Sequence, residues 1–279
     1  MEEVDGVIVG AGVVGLACAA RLAREDAVVL VLEAHPRAGV ETSSRNSEVV
    51  HAGLYYPPGS LKSRLCHEGR RALYRLASES AVFVKKTGKL VVAVDAAEAA
   101  GLEALTAKAR AAGAEGLELL DGAEAARRAP GLKAAAALWS PETGIVDSED
   151  LMAHFQRKAL DGGADFLFST ELAEAERSLG AWSLTLSTGE RLRARWVVNS
   201  AGLHSDKVAA LPGLDVDATV RPTSLTVSPG DTETHSVSLS VRASAGGCSS
   251  SVRYSRTLSA ILNRLRPAWE TSRASSTRS

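Results

Sequence analysis

Cysteine is scarce in this chain. The three present, Cys18, Cys66 and Cys248, lie far apart with no C-x-x-C pair, which argues against a disulfide framework and against a cysteine zinc site. An excess of either charge is also missing. With 32 Lys plus Arg against 33 Asp plus Glu the formal net charge is -1, so a basic nucleic-acid surface is not expected. No apolar run approaches the roughly 18 residues of a membrane span. The first strand-like run starts a few residues after Met1, which leaves no room for a signal or transit peptide and makes a cytoplasmic location the simplest expectation. What remains is ordinary globular composition, 45% hydrophobic and 23% charged over 279 residues, enough for one large domain or two modest ones.

The last part of the chain lacks lysine altogether. Residues 222–279 hold 15 Ser, seven Arg, three acids and no Lys, whereas the preceding 221 residues also hold only 15 Ser. Apolar periodicity fades there to Val237, Leu239 and Val241. Such a stretch buries too little apolar area to offset its ordering entropy and reads as an atypical, poorly ordered tail.

Before it, hydrophobic patterning alternates between strand and helix. Val7-Ile8-Val9 reads as a buried strand, Leu16 to Arg24 as a helix, and Ala27 to Leu32 as a second strand covered on both faces. Residues 41–60 read as a structured loop. Further helices are expected over Ser60 to Ser80, Ala96 to Ala112, a short segment opened by Asp121 and Glu124, and a segment capped by Asp147 or Ser148 that runs to about Leu160. Strands are expected at Leu90 to Val94, Phe166 to Phe168, Leu184 to Leu186 and Arg191 to Val198, the last two joined by a Thr188-Gly189 turn.

Between the first strand and helix stands G-x-G-x-x-G, at Gly10, Gly12 and Gly15, and Glu33 ends the next strand 18 residues beyond Gly15. Together these form a dinucleotide-binding β-α-β signature. Gly10 permits the tight turn, Gly12 clears the backbone for a pyrophosphate, and Gly15 lets the helix pack closely on the strand. The helix N-terminus favours the anion, and Glu33 would accept hydrogen bonds from ribose hydroxyls, which disfavours a 2′-phosphate. The motif alone does not separate NAD from FAD.

Residues 41–74, ETSSRNSEVVHAGLYYPPGSLKSRLCHEGRRALY, resemble the flavin-proximal segment of the L-2-hydroxyglutarate dehydrogenase/oxidase family. That family lies within the D-amino-acid-oxidase-like FAD-dependent oxidoreductases. TGKLVVAV (87–94), TGIVDSEDL (143–151) and VVNSAGLHSDKVA (197–209) are similar to it too, and the likeness covers about 1–221. The resemblance implies FAD as cofactor and an α/β architecture. A Rossmann-like FAD-binding domain would be formed from 1–80 and 140–221, with an inserted, incomplete mixed α+β substrate domain in 81–139. It implies oxidation of L-2-hydroxyglutarate to 2-oxoglutarate by hydride transfer to flavin, with a small hydroxy-acid substrate and an electron acceptor of unknown identity. A related enzyme acting on glycerol phosphate or an amino acid is the alternative within enzymes. An inactive nucleotide-binding fragment is the alternative outside them. No nucleic acid, metal or transmembrane segment is expected, and peripheral membrane association stays open.

The same resemblance orders the site residues. Ser43, Ser44, Arg45, Asn46 and Ser47 form a cluster of donors for the flavin ring or a phosphate. Ala201 and Gly202 follow an apolar strand, where small residues let backbone pass close to a cofactor. His51 is the candidate base for the substrate hydroxyl, histidine having a suitable intrinsic pKa; packing or flavin contact is the competing role. Arg45, Lys62 and Arg64 are the candidate carboxylate partners, with Tyr55 lining the pocket. His204 is expected to face solvent, and His35, His67, His154 and His235 are assigned no chemistry. Past Arg221 the family pattern of a basic-Gly-x-Tyr strand and a C-terminal glycine-rich segment is not seen. The rise in Ser and Arg reads as a shifted reading frame, so the chain is expected to be truncated relative to the family.

Overall fold

The structure, a computed structural model, describes residues 1–178 and 180–213. In chain order the elements are β1 (Glu2–Val9), α1 (Val13–Leu22), β2 (Val29–Glu33), β3 (Val49–Val50), α2 (Leu61–Glu79), β4 (Val84–Lys86) and β5 (Lys89–Ala93). There follow α3 (Ala96–Ala111), β6 (Glu118–Asp121), α4 (Gly122–Arg128), β7 (Ala136–Ser140), β8 (Gly144–Val146) and α5 (Ser148–Asp161). The last are β9 (Asp165–Phe168), β10 (Leu172–Ser178), β11 (Ala181–Leu186), β12 (Arg191–Asn199) and α6 (Ser205–Ala210). The expected helices all form. The call for a poorly ordered, frame-shifted tail at 222–279 lies outside the described residues.

The chain divides into two compact units, Met1–Arg45 with Met152–Ser279, and Asn46–Leu151. This differs from the 1–80/140–221 and 81–139 division expected from the resemblance. The reason lies in strand pairing. β3 pairs with β8, and β8 with β4, so the short strands that flank 80 and 140 belong to one sheet. None was visible in the sequence, because strands of two or three residues carry no periodicity to read.

The first unit is built on a six-stranded sheet in the order β10-β11-β12-β1-β2-β9. β12, β1, β2 and β9 run parallel, and β11 and β10 return antiparallel. β1 is central, and from Val4 to Val9 it is buried throughout, as a strand covered on both faces must be. Alternation splits its side chains. Ile8, with Val29 and Val31, packs against Leu16 and Ala19 of α1 and Met152 and Ala159 of α5. Val7 and Val9, with Leu30 and Leu32, join Leu184, Leu186 and Leu192 on the other face. Within β1, Gly6 stands opposite Trp196 of β12. A Cβ on Gly6 would run into the Trp196 indole, so the glycine makes room for an aromatic ring across the strand pair.

In the second unit, β5, β7 and β6 form an antiparallel sheet. α3 lies on it through Leu102 and Ala109, which meet Leu138 and Ala93. Asp95 and Asp121 cap α3 and α4 by accepting the Glu98 and Glu124 N–H groups at 2.9 and 2.7 Å. α2 forms where a helix was expected, and its buried face is polar: Leu61 and Leu65 are exposed, and the buried residues are Ser63, His67 and Arg70. Ser63 Oγ and His67 Nε2 both meet the Ala112 carbonyl, at 2.9 and 3.0 Å, and Arg70 Nη2 donates to Glu115 at 2.7 Å. Three polar contacts hold this helix.

The Gly6–Trp196 contact makes a test of the β1–β12 pair. Gly6→Val should destabilise the protein by about 1–3 kcal/mol through overpacking, seen as a lower denaturant midpoint. In a Trp196→Ala background the same change should cost clearly less, since the clash is gone. Equal costs in both backgrounds would show that the ring does not occupy the space above Gly6.

Candidate functional site

The glycine-rich loop is held by contacts between residues far apart in the chain. β1 and β12 end together, Val9 opposite Asn199. Ser200 N–H then donates to the Val9 carbonyl at 2.9 Å, and Ser200 Oγ donates to the Val9 and Gly10 carbonyls at 2.8 and 3.1 Å. Gly10 turns with φ +99°, a conformation that favours glycine, and a Cβ there would sit 2.6 Å from the Ser200 carbonyl and 3.1 Å from the Ala201 Cα. A Cβ on Gly15 would strike the Gly10 carbonyl. The expected close packing of helix on strand is thus present, and Ala201 lies beside Gly10. The Ala201 N–H donates to Asn199 Oδ1 at 3.2 Å, and Asn199 Nδ2 donates to the Ser205 carbonyl at 2.7 Å. Gly202, φ +55°, opens the 3-10 turn that follows.

Glu33 does more than its position at the end of β2 suggested. Its side chain is 8% exposed. Oε2 accepts the Ala11 N–H at 2.8 Å and Oε1 the His35 N–H at 2.9 Å. Each carboxylate oxygen has further lone pairs, so ribose hydroxyls can still be accepted beside these bonds. Glu33 thereby ties the middle of the glycine loop to the end of β2.

The polar loop after it is partly spent on the protein. Ser43 Oγ accepts the Val13 N–H at 2.9 Å, in the first turn of α1, and would lie 2.9 Å from a Cβ on Gly12. Ser44 Oγ donates to the Val40 and Glu41 carbonyls at 3.3 and 3.1 Å. Ser43 and Ser44 therefore brace the dinucleotide loop and its neighbour. Arg45 and Ser47 are exposed, and Asn46 Oδ1 accepts the Glu48 N–H at 2.7 Å. Glu41 receives two histidines on one oxygen, His35 Nε2 at 3.2 Å and His204 Nε2 at 3.4 Å. The His35 hydrogen bond, with a smaller pull from His204, holds its carboxyl below the usual range against partial burial. His204 does face solvent, at 53% exposure, but it also closes this clasp; no spacing in the sequence signalled it.

The remaining candidates lie in the second unit. His51 follows β3, and its carbonyl accepts the Cys66 Sγ–H from α2 at 3.3 Å. Burial pushes the Cys66 thiol up, so it stays a donor. The His51 pKa is lowered, first by the protein packed around the ring, although the residue is exposed at its surface, then by the charges of Lys89 and Lys62. Lys62 lies over the Tyr56 ring at 4.8 Å and Lys89 over the Tyr55 ring at 4.8 Å. Arg64 is exposed and pairs with Glu68 at 3.9 Å. Lys89 was within a quoted motif, but nothing in its spacing singled it out.

These geometries can be set against known proteins. The chain matches the DAO family of FAD dependent oxidoreductases over residues 5–253, further than the 1–221 read from the sequence. The chain belongs to the FAD dependent oxidoreductase family. It is 36% identical over 228 residues to the mitochondrial L-2-hydroxyglutarate dehydrogenase of Caenorhabditis elegans, covering 80% of this chain and 53% of that protein. The human protein of the same name is 34% identical over 231 residues, covering 78% and 50%. The chain thus spans about half the length of these relatives. Among solved structures, glycine oxidase from Geobacillus kaustophilus superposes with a TM-score of 0.70 at 26% identity, covering 77% of this chain and 60% of that one. L-alpha-glycerophosphate oxidase from Mycoplasma pneumoniae, solved with FAD bound, gives 0.72 at 24% identity, covering 77% and 58%, and supports the fold. The α/β, Rossmann-like architecture expected from the sequence holds.

One expectation fails. Both relatives are named as mitochondrial proteins, so the cytoplasmic location read from the sequence does not stand. Composition and charge report the folded body, whereas an address is carried by dedicated targeting segments. Among the described residues no helix is long and apolar enough to cross a membrane.

The donor set fits a dinucleotide: two glycines whose Cβ atoms would close the loop, a buried carboxylate with lone pairs to spare, and small residues after β12. FAD is the cofactor of the family. Replacing Glu33 by Ala should then have two effects. Removing an acceptor from two N–H groups should cost about 1–3 kcal/mol of stability, and the flavin retained per chain should fall, measured by absorbance after gel filtration. A stable variant with full flavin would remove Glu33 from the site.

Proposed function

We propose that this chain carries the catalytic half of an FAD-dependent 2-hydroxy-acid dehydrogenase whose substrate is L-2-hydroxyglutarate and whose product is 2-oxoglutarate. The observation that carries the reading is the continuous likeness to L-2-hydroxyglutarate dehydrogenases over about four-fifths of the chain, together with the glycine loop braced by Glu33 and Ser200.

Gly10, Gly12 and Gly15 admit the pyrophosphate, and Glu33 holds the ribose. When bound, FAD supplies the two-electron acceptor of the oxidation. The protein's own chemistry is to take the substrate hydroxyl proton, and we assign that step to His51 Nδ1 or Nε2. Its lowered pKa keeps the ring neutral at pH 7, the form that accepts a proton. Lys62 binds a substrate carboxylate and Tyr55 lines the pocket. Arg64, turned to Glu68, and Arg45, exposed, remain secondary carboxylate partners. Of the loop donors, Ser47 is assigned to the cofactor together with Asn46, with Ala201 and Gly202 beside the glycine loop. The electron acceptor is a separate small molecule or protein.

His51→Ala should lower the rate of substrate-dependent flavin reduction by about 10²–10⁴-fold, the usual contribution of a general base, with flavin content unchanged. The pH profile gives a second check. Because packing and the Lys89 and Lys62 charges favour the neutral ring, the rate should fall only as pH drops through a pKa below 6.5, and His51→Gln should abolish that inflection. A screen with an artificial acceptor should find L-2-hydroxyglutarate used in preference to glycerol 3-phosphate and glycine. Preference for either of those would overturn the substrate assignment, and no reduction by any would mark a nucleotide-binding fragment.

A further inference from the structure

Lys62 and Lys89 stand out among the cations of the second unit. Ion pairs within it put Lys86 on Glu142, Arg70 on Glu115 and Glu142, Arg71 on Glu115, Arg64 on Glu68, Arg127 on Glu124, and Arg128 on Glu118 and Glu124. Lys62 and Lys89 have no carboxylate partner among the described residues, yet both are half-buried rather than spread into solvent. Each is instead laid over an aromatic ring, Tyr56 and Tyr55 respectively, at 4.8 Å, and Lys89 Nζ also donates to Tyr55 Oη at 3.3 Å. Partial burial of an ammonium without an acid is unfavourable unless an anion completes the site. A tyrosine face compensates only in part.

The two lysines come from different elements and converge on one place. Lys62 is in the first turn of α2, one turn before Cys66, and residues four apart share a helix face. Cys66 is the residue bonded to the His51 carbonyl. Lys89 opens β5 and reaches Tyr55, four residues after His51. Each ammonium rests on its own tyrosine, so the place offers two cationic contacts rather than one. That arrangement suits an anion with two charged ends better than a compact one.

We infer that Lys62 and Lys89, each positioned by an adjacent tyrosine, form a two-point clamp for the two carboxylates of a five-carbon dicarboxylate beside His51. This deepens the 2-hydroxyglutarate reading and rests on it. It adds Lys89 as a substrate-binding residue and makes the site select a dicarboxylate over a monocarboxylate of similar length. A lysine binds a carboxylate as a point charge with rotatable donors, so binding should weaken with salt.

The test is glutarate binding to the full chain by isothermal titration calorimetry, with butyrate and inorganic phosphate as the other probes. Glutarate lacks the hydroxyl, so the readout needs no turnover. Wild type should bind glutarate at least tenfold more tightly than butyrate. Lys62→Met and Lys89→Met should each weaken glutarate by about tenfold, as expected for loss of one charged partner, and leave butyrate within a few fold. Lys89→Arg should recover most of the loss, and flavin content and melting temperature should match wild type throughout. The clamp is overturned if wild type binds no glutarate, if both Met variants bind it as wild type does, or if phosphate binds as tightly and is lost in the same variants. L-2-hydroxyglutarate turnover, measured in parallel, separates the two proposals. Turnover with an unchanged KM in Lys89→Met sinks the clamp and leaves the proposed function. Lysine-dependent glutarate binding without turnover supports the clamp and sinks the proposed function.

Discussion

The parallel contact between β1 and β12 is the constraint on which the nucleotide site depends. Its strands are separated by almost the whole described chain, and they must meet in one register for Ser200 to reach the Val9 and Gly10 carbonyls. Once they do, Gly10 and Gly15 have no space for a side chain. The loop is then shaped from three directions, by β1 itself, by Glu33 at the end of β2, and by Ser200 after β12. Closing so long a chain segment costs entropy before any of these bonds form. The buried stretch Val4 to Val9 of β1 and the wholly buried β2, packed on both faces, offset it.

The second unit solves a different problem. α2 buries serine, histidine and arginine rather than leucine, and Arg70 is 2% exposed. A guanidinium so deep needs partners, and Glu115 and Glu142 supply them. Tyr74 Oη, donating to the Glu142 carbonyl at 2.9 Å, braces the same corner. This polar seam sets the rotation of α2 about its axis. With that rotation set, Cys66 faces the His51 carbonyl and Lys62 faces Tyr56. The chemistry proposed for His51 and Lys62 therefore rests on the Arg70 ion pairs, about one to two turns further along the same helix.

Much of this was legible in one dimension. The β-α-β unit announced itself by continuous apolar runs, glycine spacing and a terminal glutamate, because a buried parallel strand and a close backbone approach tolerate few residue types. The helix starts at Ser60 and Asp121 were equally plain, since a cap is a contact between residues three apart, whereas the Asp95 cap of α3 was not read. Less legible were β3, β4 and β8, too short for periodicity, and their pairing moved the division between the two units to Arg45 and Leu151. The buried face of α2 was not legible either, because Ser63, His67 and Arg70 are held by polar partners on other elements rather than by an apolar stripe.

By itself the sequence determined the family, the Rossmann-like class and the identity of the loop glycines, because those properties rest on local spacing and on residue types that no substitute can replace. Tertiary structure alone decided which polar atoms those residues meet. It turned Ser43 toward the Val13 N–H and gave Glu33 two backbone donors. It also gathered His35, Glu41 and His204 into one clasp and, among the described residues, left Lys62 and Lys89 without acids. The physical reason is range. A cap or a glycine turn is settled within a few residues, whereas the partner of a charge is chosen by whichever strand or helix the fold happens to bring beside it.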